Sequence, residues 1–201
     1  MTLFSRLVPA VLIVALPIFA RAADPKPAET AVLIRLHKMD ASATKDAAGN
    51  VIFVQFGCGS HLRDDDVILL SAFPNLERLI IIGYDDITDA GVEHLRGLKV
   101  KKLMLVSDKL TVKSAEHLAT LKDLESLDLK SAPVTGEWLK QLKTLPNLHT
   151  LKLRGAELTD ADAQEFASFP KLESLQIRSS KMTNAGTESV KAALPKVNIT
   201  Q

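Results

Sequence analysis

Side chains able to do chemistry are few and scattered in this chain. The stretch GCGSHLRDDD, residues 57–66, sets Cys58 between two glycines, His61 just after it, and the acids Asp64, Asp65 and Asp66 behind. A thiol beside an imidazole is the pairing a cysteine nucleophile needs. Consecutive carboxylates are what a hard cation takes. His94 and His117 recur in VEHL and AEHL, but the matching positions further on hold Gln141 and Glu165, so the set of three or four ligands that zinc requires is not completed. His37 and His149 have no partner at ligand spacing. The chain has no nucleophile elbow, phosphate loop, H-E-x-x-H or C-x-x-C motif. Catalysis therefore has no positive support, and neither a cofactor nor a metal is expected. An enzyme centred on Cys58 and His61 is the least favoured alternative.

The elements that would position these residues follow a repeat. Val51, Val54 and Phe56 open a unit. The same skeleton returns at Leu76, Leu79 and Ile81; at Val100, Leu103 and Leu105; at Leu124, Leu127 and Leu129; at Leu148, Leu151 and Leu153; and at Leu172, Leu175 and Ile177. The period is 24 residues, with one step of 25. The alternation within each opening is that of a half-buried strand. Each unit later carries two apolar residues three apart, such as Leu95 and Leu98 or Leu142 and Leu145, which is one face of a helix. Between strand and helix stand ITDA (87–90), LTDA (158–161) and MTNA (182–185), whose Thr, Asp and Asn can accept the free N–H groups of a helix start. One such unit cannot bury its apolar face alone; stacked units make one continuous core.

This pattern resembles the leucine-rich repeat family, and its LTDAG-like turns look like the ribonuclease-inhibitor-like and cysteine-containing branches. The resemblance covers residues 51–201. It implies an α/β solenoid with a curved parallel sheet on the concave side and short helices on the convex side. The chain departs from the family at the ninth position of each unit, where many members carry Asn or Cys; here stand Gly59, Tyr84, Asp108, Ala132, Ala156 and Ser180. No asparagine ladder is expected, so the turns must be satisfied in another way. The eighth position is always small: Cys58, Gly83, Ser107, Ser131, Gly155 and Ser179. That regularity makes Cys58 a buried small residue rather than a nucleophile. Residues 29–50 read as a helix and hairpin capping the first unit, with Val32, Leu33, Leu36 and Met39 at helical spacing. A truncated last strand near 194–201 leaves a thinly covered end.

The positions the scaffold leaves free lie between the core leucines, on the concave face of such a solenoid. Phe53, Arg78, Ile80, Ile82, Lys102, Met104 and Val106 gather in its first half, as a contiguous exposed apolar patch with cations beside it. Lys130, Lys152, Arg154 and Arg178 gather in its second half, opposed by Asp128 alone. The expected function is non-catalytic binding of a protein partner through this face, with the first group anchoring and the second steering an acidic segment or anionic glycan. A structural or self-associating envelope module, using the C-terminal end, is the alternative.

Residues 1–22 fit an export signal: one charge at Arg6, an uncharged apolar run, then Ala20-Arg21-Ala22. The run is short for a bilayer span, so no stable membrane insertion is expected after cleavage. Residues 23–28 read as a Pro-containing spacer. A periplasmic or extracellular location follows. Without Arg6 and Arg21 the mature chain has one more acid than base, so bulk charge does not point to nucleic acid. The single cysteine permits no internal disulfide, which leaves packing to hold the domain.

Overall fold

The computed structural model describes residues 27–82 and 87–200. The expected signal segment, most of the spacer, and Gly83 and Tyr84 lie outside the described residues. Helix α1 (Pro27–Lys38) opens the described residues, so the helix of the expected cap starts two residues earlier than its spacing suggests. A hairpin follows, β1 (Ala41–Lys45) antiparallel to β2 (Val51–Phe56). Its turn is built around Asp46, whose carboxylate accepts from the Ala48 and Asn50 N–H groups and the Asn50 amide; Gly49 supplies a φ of 86°. Those donors hold the Asp46 carboxyl below its ordinary value, the Asn50 side chain foremost.

Then strand and helix alternate. The strands are β3 (Arg78–Ile82), β4 (Lys102–Val106), β5 (Ser126–Lys130), β6 (Thr150–Arg154), β7 (Ser174–Arg178) and β8 (Asn198–Thr200). The eight strands form one sheet in sequence order, parallel from β2 onward. The helices are α2 (Asp64–Val67, continued by a 3₁₀ turn Ile68–Ala72), α3 (Asp89–Glu93), α4 (Val112–Leu118), α5 (Gly136–Leu142) and α6 (Asn184–Ala193). They cover one face of the sheet. The core runs unbroken from Leu36 to Leu194 and takes the repeating leucines of every unit.

One turn departs from the expected helix: Asp160–Ser168 is 3₁₀. Ala163, Phe166 and Phe169 are all buried, and residues three apart line up in a helix of three residues per turn. The rings of Phe166 and Phe169 stack with centroids 6.3 Å apart. An α-helix would swing one of these away from the core.

The small eighth positions have two causes. Ser131, Gly155 and Ser179 take φ of 61°, 78° and 53°, the left-handed region that bulky side chains avoid. A Cβ on Gly155 would also sit 3.4 Å from the Ser131 Cα. Their N–H groups answer how the turns are satisfied without asparagines: Ser107, Ser131 and Gly155 donate to the carbonyls of Lys130, Arg154 and Arg178, each on the next strand. The Ser107 hydroxyl, fully buried, donates to the Ile87 carbonyl.

Cys58 breaks this rule. It is exposed, not buried as expected, as are Ser131, Gly155 and Ser179, while Ser107 is buried; what sets Cys58 apart is its turn. After β2 the chain turns early, because the Gly57 carbonyl accepts from Gly59, Ser60 and the Ser60 hydroxyl. Cys58 is left at the tip of that turn.

On the helix side the units are tied by threonine and aspartate. Asp64 accepts from the Thr88 N–H and hydroxyl of the next unit. Asp89 does the same for Thr111 and also takes the Ser114 hydroxyl. Asp160 does it for Thr183. Thr88, Thr111 and Thr183 in turn cap their own helices. Between these ties the ladder skips: the matching positions are Val112 and Gly136. There Trp138 of α5 is 1 % exposed, and Thr159 is bonded instead by Asp162 of its own unit.

Candidate functional site

The face of the sheet away from the helices carries the residues left between the leucines. Strand register arranges them in three rows. The first runs Phe53, Arg78, Lys102, Ser126, Thr150, Ser174 and Asn198. The second runs Gln55, Ile80, Met104, Asp128, Lys152, Gln176 and Thr200. The third runs Ile82, Val106, Lys130, Arg154 and Arg178. Neighbours in a row sit one strand spacing apart, about 4.8 Å.

Every expected face residue is in a row, but they differ in what they can offer. Ile80 and Val106 are 9 % and 3 % exposed, so the contiguous apolar patch expected from the sequence is not there. Each is hemmed in by its row neighbours, Gln55 and Met104 for Ile80, Ile82 and Lys130 for Val106. Phe53, Ile82 and Met104 are half-exposed. The Arg78 guanidinium lies 4.8 Å from the Phe53 ring centroid, so this cation and this ring partner each other.

Arg154 is likewise not free. Its Nη2 donates to Asp128 Oδ2 at 2.8 Å. Asp128 is 7 % exposed, buried in the middle row between Met104 and Lys152. The pairing is single-toothed: Asp128 Oδ1 and Arg154 Nε are both buried without a partner. Sequence reasoning saw Asp128 only as an opposing charge. Its signal was there, as the one acid at a row position.

The side chains of Lys102, Lys130, Lys152 and Arg178 have neither ion pair nor hydrogen bond among the described residues, unlike those of Lys101, Lys140 and Lys191, which each hold a glutamate. The Glu77 carboxylate raises Lys101 above the ordinary lysine value, first by its hydrogen bond. Arg78, Ile80, Lys102, Met104, Asp128 and Lys152 line a groove of about 260 Å³. Lys130, Arg154 and Arg178 stand outside it.

The side chains that first suggested chemistry go elsewhere. His61 and Cys58 are exposed on a turn. Asp64 is bonded to Thr88, and Asp66 pairs with Arg35 at 2.6 Å. Among the described residues no three His, Cys, Asp or Glu side chains gather as a metal cage, and no helix is long and apolar enough to cross a membrane.

These features define the class: an α/β protein with an eight-stranded, mostly parallel sheet, helices on one face and a cationic groove on the other. No family model and no curated protein matches the chain. Among solved structures, internalin C2 of Listeria monocytogenes aligns at 16 % identity over 88 % of this chain and 94 % of its own, with a TM-score of 0.45. The Mex67:Mtr2 subunits of Chaetomium align at 20 % identity over 49 % of this chain and 78 % of theirs, with a TM-score of 0.42. Both likenesses are loose.

Proposed function

We propose that the chain is a leucine-rich-repeat solenoid that binds an acidic protein partner, without catalysis, through the concave sheet face. One observation carries the reading. Lys102, Lys130, Lys152 and Arg178 stand in the three rows of one face with no acid paired to any of them among the described residues. A chain with 25 basic and 24 acidic residues has carboxylates enough to neutralise them, and uses those carboxylates elsewhere. Complementary charge steers encounter and sets specificity, and half-exposed Met104 and Ile82 add apolar contact within the same surface. Residues 1–22 support export, and the mature protein recovered outside the cytoplasm would begin at Ala23.

The test uses Lys102→Glu with Lys152→Glu, both on the groove wall. A partner captured from envelope extract by the native protein is purified and its affinity measured for each. The double variant should lose at least about tenfold. Unchanged affinity in a folded double variant would place binding on another surface. Self-association through the outer edge of β8 is the second reading, favoured by its pairing with β7 on one side alone among the described residues. Light scattering over a concentration series separates the two.

A further inference from the structure

We propose that Asp128 and Arg154 form a polar reading pair within the groove face, one that takes the side-chain amide of an asparagine or glutamine set among the acids of the partner peptide. This rests on the proposed binding through the sheet face and adds what that face distinguishes. An arginine side-on to a carboxylate ordinarily closes two parallel hydrogen bonds. Here one is closed, from Arg154 Nη2 to Asp128 Oδ2 at 2.8 Å. The other is not closed: Arg154 Nε, a donor, and Asp128 Oδ1, an acceptor, are both buried and without a partner.

Buried polar atoms are normally hydrogen-bonded, so two orphans on one pair mark a place where a polar group belongs. A primary amide fits both at once: its N–H₂ donates to Oδ1 and its carbonyl accepts from Nε. A carboxylate, phosphate or sulfate has no donor for Oδ1. An ammonium has no acceptor for Nε, and would meet Lys102 and Lys152 on the walls of the same groove. The Arg154 side chain is one-third exposed, which gives it room to turn its fork toward a ligand. Asp128 is also the one carboxylate in the three rows, facing Arg78, Lys102, Lys130, Lys152, Arg154 and Arg178. Free cations alone would take any polyanion; the reading pair adds a requirement that a uniform polyanion does not meet.

Two short fluorescent peptides test this, one all glutamate and one with a single central glutamine, together with a short single-stranded DNA. Anisotropy titrations use the full mature chain. The native protein should bind the glutamine peptide about fivefold more tightly than the all-glutamate peptide, although it carries less charge, and the DNA more weakly than either. In Asp128→Asn with Arg154→Gln, which removes both charges and strands neither, that preference should vanish while the all-glutamate peptide still binds. A native protein that ranks the ligands by charge alone overturns the reading pair, and so does a double variant that keeps the glutamine preference. Unchanged affinity for the all-glutamate peptide in Lys102→Glu with Lys152→Glu would instead remove the sheet-face reading itself.

Discussion

The two faces of this protein treat their polar groups in opposite ways. On the helix side the polar turn residues are matched across units: Asp64 with Thr88, Asp89 with Thr111 and Ser114, Asp160 with Thr183. On the open sheet face Lys102, Lys130, Lys152 and Arg178 are unmatched, and the one ion pair there among the described residues, Arg154 with Asp128, leaves an acceptor and a donor over. A buried or half-buried polar group that is matched holds the fold together; an unmatched one costs stability or stays in water. The contrast separates residues that make the scaffold from residues that are free to act on something else.

The contrast can be broken from the scaffold side with the largest effect. Trp138→Ala empties a fully buried site on α5, and should cost about 3–5 kcal/mol. Thermal melting followed by circular dichroism reads this directly. Peptide binding at low temperature, where the variant is still folded, should stay within about twofold of native.

A smaller effect is expected one step out from the core. Asp89→Ala leaves the Thr111 N–H, the Thr111 hydroxyl and the Ser114 hydroxyl without their acceptor, and should cost about 1–2 kcal/mol by urea unfolding. The same residue gives a pH signature. Burial pushes the Asp89 carboxyl up, but hydrogen bonds from Ser114 and Thr111 outweigh it and hold the value below 3.8. The folded protein thus binds this proton less readily than the unfolded chain. Its contribution is complete above pH 3.8 and is lost as pH falls through the lower folded value. Asp160, lowered by the Thr183 hydroxyl, acts in the same window. Stability measured through this range should fall less steeply in Asp89→Asn than in the native chain. An unchanged slope would mean the ladder does not carry the acid sensitivity.

The smallest expected effect on stability sharpens the comparison from the other face. Lys102→Glu with Lys152→Glu should move the unfolding free energy by no more than about 0.5 kcal/mol per site, because neither lysine has a partner to lose. A larger loss would show these lysines to be part of the scaffold after all.

The sequence made the rows legible because a fixed period places equivalent residues on neighbouring strands. Lys102 beside Ser126 and Lys130 beside Arg154 follow from counting alone. Counting does not report crowding. Ile80 and Val106 hold the same positions as exposed residues, yet their row neighbours close over them. Nor does it report burial at the turns: Cys58 holds the small-residue position, but that position is exposed at Ser131, Gly155 and Ser179 too, because smallness there serves a left-handed turn and not the core. The Asp128–Arg154 pair joins residues on different rows of adjacent strands, a diagonal that a position-by-position alignment does not compare.

The interrupted ladder on the helix side has a consequence for how such a chain can be rearranged. A unit that carries Asp just after its helix cap needs a small residue three places past the threonine of its successor. Asp64 would meet a Cβ on Gly91 at 2.4 Å, Asp160 one on Gly186 at 2.1 Å, and Ser114 accommodates Asp89. Where the unit carries Val112, its successor holds Trp138; where it carries Gly136, its successor holds Asp162, which would stand 2.2 Å from any Cβ at 136. Each boundary is thus a fitted joint with its own key. Duplicating or exchanging whole units at the period of the repeat would keep the leucines in step and still jam, unless both sides of the joint moved together.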